Sequence, residues 1–161
     1  MRYYIPKGWH FSIPKLPILY TKSEFKWQVK FNNTCKYDIG RDQDDWNKLV
    51  GISNYLNPRK ESIRFVWRYD LRFDMFEIGV YKEINNKWEV HKLTYVKNEA
   101  TLNIKFNDDT VEMFGHDSGR NLNHAIIVLK FKKNKLTLRT NPYFGGNIPA
   151  PHCMNLNLTE L

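Results

Sequence analysis

The chain has 161 residues, 42% of them hydrophobic and 15% aromatic. A domain of that size buries roughly 70% of the surface its unfolded form exposes, which excludes a disordered segment and a fold dependent on cross-links. The formal charge of +8 suits either a lysine-rich surface kept soluble by its charge or one that attracts polyanions at low salt.

Two cysteines, Cys35 and Cys153, are too few for a disulfide framework and lack the spacing of a zinc or redox motif, so both are expected as buried thiols, with a single bridge between them left open. The first residues, Met1 to Trp9, offer no apolar signal region, and no apolar run is long enough to span a bilayer. A cytoplasmic protein is expected. On that reading the sequons at Asn32 and Asn157 are chance matches.

In chain order the dominant pattern is period two, which marks strands with one buried face. Trp27, Val29 and Phe31 alternate with Gln28 and Lys30, and Ile63, Phe65, Trp67 and Tyr69 alternate with Arg64 and Arg68. The pattern returns at Phe76, Ile78 and Val80, at Leu102, Ile104 and Phe106, and at Ala125, Ile127, Leu129 and Phe131. It closes with Leu136 and Leu138, then Met154, Leu156 and Leu158.

Asn85-Asn86, Asn107-Asp108-Asp109 and Lys133-Asn134 supply turn residues between these runs. They predict hairpins pairing 76–83 with 87–95, 101–106 with 110–114, and 124–132 with 135–140. Only Asp44-Asp45-Trp46-Asn47-Lys48-Leu49 reads as a turn of helix. The fold class expected is therefore all-β, one antiparallel sandwich or jelly roll over residues 1–161 with little helix. Long loops are expected at 32–61 and 115–123, where function tends to sit.

The segment of residues 141–152, Asn-Pro-Tyr-Phe-Gly-Gly-Asn-Ile-Pro-Ala-Pro-His, carries three prolines and two glycines that impose a fixed path before the last strand. It reads either as a rigid plug, with Phe144 buried and His152 bonded to backbone, or as a ligand loop presenting Tyr143, Asn147 and His152. With Lys7-Gly8-Trp9-His10-Phe11-Ser12, Asp45-Trp46-Asn47-Lys48-Leu49-Val50-Gly51 and the Ser62 to Tyr69 run, this loop resembles a group of poorly characterised bacterial and phage proteins with a concanavalin-like sandwich. The resemblance implies a fold and supplies no activity. Where those relatives carry paired histidines, this chain has Asn57-Pro58-Arg59-Lys60.

Arg64 and Arg68 share the face opposite Phe65, Trp67 and Tyr69, where they can grip an anionic ligand or pair with Glu77 across strands. Glycoside hydrolysis needs two carboxylates, and the Glu77-Gly79-Tyr81 positions offer one, so no enzyme, cofactor or metal site is expected. His116-Asp117 and the Asp42, Asp44 and Asp45 group are the nearest approaches to a metal nucleus.

Two binding functions remain open. The first is a non-catalytic module that holds a glycan or other small polar ligand, with Trp9, His10, Arg64, Arg68, Tyr143, Asn147 and His152 as candidate contacts. The second is an intracellular protein that binds nucleic acid or a nucleoprotein, for instance a phage-encoded inhibitor of a bacterial defence complex. It would use the basic run Lys130, Lys132, Lys133, Lys135 and Arg139, with stacking surface from Trp88 and Tyr95.

Overall fold

The computed structural model describes residues 1–15, 18–119 and 125–161. Among them the strands, in chain order, are β1 (Arg2–Ile5), β2 (Leu19–Tyr20), β3 (Glu24–Phe31), β4 (Asn47–Ser53), β5 (Glu61–Asp70) and β6 (Met75–Ile84). They continue with β7 (Lys87–Val96), β8 (Glu99–Asn107), β9 (Thr110–Asp117), β10 (Ala125–Lys130), β11 (Thr137–Thr140) and β12 (Met154–Glu160). Helix is confined to two 3-10 turns, Asn33–Cys35 and Gly40–Asp44. None of the described helices is long and apolar enough to cross a membrane.

The strands build two six-stranded antiparallel sheets that face each other as a sandwich. The first is ordered β1-β12-β3-β8-β9-β10 and the second β2-β11-β4-β5-β6-β7. Alternation sorts the side chains: Phe25, Trp27, Val29 and Phe31 of β3 turn inward to meet Ile63, Phe65 and Trp67 of β5 and Phe76, Ile78 and Val80 of β6, all buried. Phe31 joins the two layers, stacked on Phe76 with ring centroids 4.4 Å apart and tilted against Trp67 at 5.2 Å. Tyr37 and Phe144 close one end of this core, edge to face at 5.2 Å.

Two of the expected hairpins form. Asn85 and Asn86, at φ 52° and 63°, supply the left-handed pair that a two-residue turn requires between β6 and β7. Asp108, at φ 44°, serves the β8–β9 turn. The third does not: β10 pairs with β9 in the first sheet, whereas β11 pairs with β2 and β4 in the second, so the chain changes layer after Phe131. With that, the expected register of β11 inverts. Thr137 and Arg139 point inward, Leu138 points outward and Leu136 lies exposed before the strand.

The predicted helical turn at 44–49 is likewise replaced, since its C-terminal half begins β4. The period-two signal fails there because Lys48 pairs with Val66 and Gly51 with Arg64, so Leu49 and Val50 oppose Phe65 alone in a β-bulge. Both bulge residues are buried. Long loops are correspondingly shorter than expected: 47–53 is strand, 115–117 completes β9, and the remainder of 115–123 beyond Gly119 lies outside the described residues.

Both cysteines are free thiols, and the expectation that both are buried holds for Cys35 only. Burial pushes the Cys35 thiol up to about 12. Cys153 is exposed and accepts a hydrogen bond from the Tyr4 hydroxyl at 2.9 Å, which draws its thiol below the usual range with help from Lys7. Titration with an aromatic disulfide at neutral pH is expected to modify one thiol in the native protein and the second only after unfolding; two fast-reacting thiols in the folded state would contradict this burial.

Candidate functional site

The outer face of the second sheet departs from the ordinary pattern of one dry and one wet face. Arg64, Val66 and Arg68 on β5 and Glu77, Tyr81 and Glu83 on β6 all point away from the core, yet each is buried. Something must cover them, and the residue before β4 and the loop after β11 do so. Trp46 lies flat where Gly79 leaves the sheet bare; a Cβ on Gly79 would stand 3.1 Å from the indole. The indole also receives the Arg68 guanidinium at 4.6 Å.

The loop of residues 141–147 forms the second cover, and its path is set by backbone bonds. Lys48 donates to the Tyr143 carbonyl at 2.8 Å and Tyr143 to the Lys48 carbonyl at 3.0 Å, so the loop extends the alignment of β11 along β4. Asn47, buried, holds the loop from below: its Oδ1 accepts from the Gly145 N–H at 2.8 Å while its Nδ2 donates to the Tyr37 hydroxyl at 2.8 Å. A side chain at Gly145 would overlap the Trp46 carbonyl. From the far side, Phe144 donates to the His10 carbonyl at 2.8 Å and the Ser12 hydroxyl to the Pro142 carbonyl at 2.7 Å.

Between these covers lies a cleft of about 830 Å³. Its floor holds Lys48, Arg64, Tyr81 and Glu83; Phe11 and Tyr143 stand on one wall, and Tyr55 and Trp88 also border it. Tyr81 and Trp88 stack with centroids 6.0 Å apart and planes 14° apart. Phe11 meets Tyr143 edge to face at 5.4 Å, and His10 stacks behind Tyr143 at 5.3 Å.

Electrostatics of the floor follow from burial. Arg64 donates to Glu83 Oε2 at 2.6 Å, a pair nearly closed to water. The Lys48 ammonium donates to the Trp46 carbonyl at 3.2 Å, its one side-chain hydrogen bond among the described residues. Burial, reinforced by the neighbouring Arg64, brings Lys48 down to about 8. Burial raises Tyr81 to about 12, so the phenol stays neutral across physiological pH. The Arg64 and Lys48 cations lie 4.8 and 4.9 Å from the Tyr81 ring centroid.

The structure brings together Arg64, Tyr143 and Asn147 of the residues singled out from the sequence. His10 supports Tyr143 from behind, with Nδ1 2.8 Å from the Phe144 carbonyl. Arg68 faces a separate depression shared with Asp44, Asp70 and Lys92. There it pairs with Glu77 at 2.7 Å and Asp44 at 2.9 Å, the cross-strand alternative foreseen for it. Trp9 is half exposed and does not line the cleft. His152 approaches the Thr34 carbonyl at 2.9 Å, also outside the cleft, and Phe144 is buried, so those two residues follow the plug reading.

The basic run does not gather into one stripe. Arg139, expected on a wet hairpin, is buried between the sheets and donates to the Tyr3 hydroxyl, because β11 presents the opposite register. Lys132 pairs with Asp109 at 3.7 Å and Lys133 donates to the Asn134 carbonyl at 3.1 Å, while Lys130 and Lys135 remain exposed. Of the acidic residues considered for a metal, Asp44 serves Arg68 and Asp45 accepts from the Asn147 N–H at 3.4 Å.

Sequence reasoning missed Lys48, Trp46, Tyr55 and Glu83 as site residues. Glu83 was within reach, since it continues the Glu77-Gly79-Tyr81 alternation; Lys48 was hidden by the bulge.

A scan against models of protein families gives no match, and no curated protein matches the sequence. Among solved structures the chain is similar to the alginate lyase of Klebsiella pneumoniae, with a TM-score of 0.56 at 9% identity over 86% of this chain and 59% of that one. The chain thus spans less than two thirds of that lyase. A functionally unknown protein from Saccharomyces cerevisiae gives 0.55 at 10% identity, over 97% and 83% of the two chains. The alginate lyase of Pseudomonas aeruginosa gives 0.51 at 8%, over 86% and 65%. At such identities the likeness shows the fold alone, and the class it defines is the antiparallel jelly-roll β-sandwich expected from the sequence.

Removing the Glu83 carboxylate would leave Arg64 buried without its partner. Glu83→Ala is expected to cost about 3–5 kcal/mol in denaturant-unfolding stability, and Glu83→Gln, which still offers an acceptor, distinctly less. A loss below about 1 kcal/mol for the alanine variant would mean that the pair is solvated.

Proposed function

We propose that the protein is a non-catalytic binding module that holds a glycan in the cleft on the outer face of the second sheet. The observation that carries this reading is the cleft's lining: aromatic rings of Phe11, Tyr143, Tyr55, Tyr81 and Trp88 border a floor that presents charged and hydroxyl groups. Sugars offer apolar faces of C–H bonds alternating with hydroxyls, and a concave site with flat rings and a few placed polar groups matches both. Trp88 suits the role of an open platform because it is 65% exposed and stacked on Tyr81, leaving apolar surface that a sugar face would remove from water.

Binding rather than hydrolysis is supported by the outward carboxylates of β6. Glu77 and Glu83 are six residues apart on one strand, which at about 3.3 Å per residue separates them by about 20 Å. Glycosidase pairs stand at roughly 5–10 Å. Each of the two is also engaged by its own arginine.

Trp88→Ala and Tyr143→Ala are each expected to weaken binding to an oligosaccharide identified on a glycan array by about tenfold, equivalent to about 1.4 kcal/mol, with the fold intact by circular dichroism. Calorimetry on the purified variants checks it. Unchanged affinity in both would remove the cleft from the binding surface.

A further inference from the structure

The charge of the cleft is lopsided, and the imbalance lies in its floor. Of the charged groups bordering it, Lys15, Lys48, Arg59 and Arg64 are set against two carboxylates, Asp45 and Glu83, while Arg139 turns inward to the Tyr3 hydroxyl. Both carboxylates already have occupations: Glu83 takes the Arg64 guanidinium and Asp45 the Asn147 N–H. Lys48 forms no ion pair among the described residues; the one hydrogen-bond partner of its side chain there is the Trp46 carbonyl. Arg64 keeps its Nε without a hydrogen-bond partner among the described residues, although its side chain is only 9% exposed.

A half-buried ammonium with no ion-pair partner among the described residues and a buried guanidinium N–H with no acceptor among them are both costly in an empty site. One group relieves both deficits: an anion of the ligand, entering beside the Tyr81 ring against which the two cations lie at 4.8 and 4.9 Å. We propose that the cleft selects glycans bearing an anionic substituent, a carboxylate or a sulfate ester, and that Lys48 and Arg64 hold that group.

The inference rests on the glycan-binding reading and adds to it the charge of the ligand and the residues that read it. Neutral sugars would leave the Lys48 ammonium without a direct ion-pair partner, which makes the same two residues a source of discrimination against them. Lys48 also gives the selection a pH dependence. The charged and titratable groups facing it are Arg64 on β5, Tyr81 and Glu83 on β6, and Asp45 and Arg59 on the bordering loops, and it is held down to about 8 by burial. As pH rises through that value the ammonium is lost, and with it the attraction for an anion.

The test uses a glycan array with neutral, uronate-bearing and sulfated oligosaccharides, then calorimetry on each bound acidic sugar and its carboxyl-reduced or desulfated counterpart. Expected are acidic ligands that bind at least tenfold more tightly than their neutral counterparts. That preference should shrink at least fivefold in Lys48→Met and persist in Lys48→Arg. For the unaltered protein affinity should fall between pH 7 and 9.5, with little change for Lys48→Arg over the same interval.

Equal affinity for charged and neutral partners would overturn the inference while leaving glycan binding standing. A blank array would overturn both, and displacement of the bound sugar by single-stranded RNA at equal charge would recast the cleft as a general polyanion site and overturn the sugar selectivity. Melting temperature within a few degrees of the parent shows that each Lys48 variant is folded; if Lys48→Met is folded and keeps the full preference, Lys48 has no part in it.

Discussion

The reciprocal backbone bonds between Lys48 and Tyr143 are the constraint from which the outer face of the second sheet takes its shape. They extend the edge of β4 beyond β11, bring the proline- and glycine-rich loop across the end of the sheet, and fix Lys48 with its side chain toward the cleft. Asn47 makes the arrangement stiff, because its amide spends one end on the loop and the other on Tyr37 inside the core. A buried amide satisfied on both sides ties loop position to core packing. The wall of the cleft is accordingly as rigid as the sandwich behind it.

That rigidity has a cost, visible in the polar groups drawn under cover. A sheet with both faces buried normally reads as a continuous apolar run, but β5 and β6 place arginines and glutamates on their outer face. These are kept by pairing: Arg64 with Glu83, and Arg68 with Glu77 and Asp44. Among the described residues Lys48 has no such partner, and its departure from ordinary lysine behaviour reflects the same burial that the paired groups survive through their hydrogen bonds.

Much of the fold was legible because period two is a direct image of one-sided burial. Trp27, Val29 and Phe31, or Leu102, Ile104 and Phe106, need only the knowledge that one face is dry. The reading failed where local pattern and tertiary position part company. At Leu136 and Leu138 the leucines imitate an inward face, but the chain changes sheets before them, and the inward positions of β11 go to Thr137 and Arg139. At Leu49 and Val50 the bulge breaks the alternation outright. The candidate site was legible only in part for the same reason: Arg64, Tyr143 and Asn147 sit in segments with clear signals, whereas Lys48 acquires its direction from a bulge and a distant loop. His152, prominent in sequence, turned out to brace Thr34.

The bare backbone at Gly79 also divides the outer face of the sheet. By letting the Trp46 indole settle against the sheet, beside Arg68, it places a bulkhead across the outer face, with the aromatic cleft on one side and the smaller Arg68 depression on the other. A long polymer lying along the strands would have to climb over the indole or stop at it. On the proposal that the cleft holds a glycan, this bulkhead favours the end of a chain, or a short branch, over the middle of a continuous one.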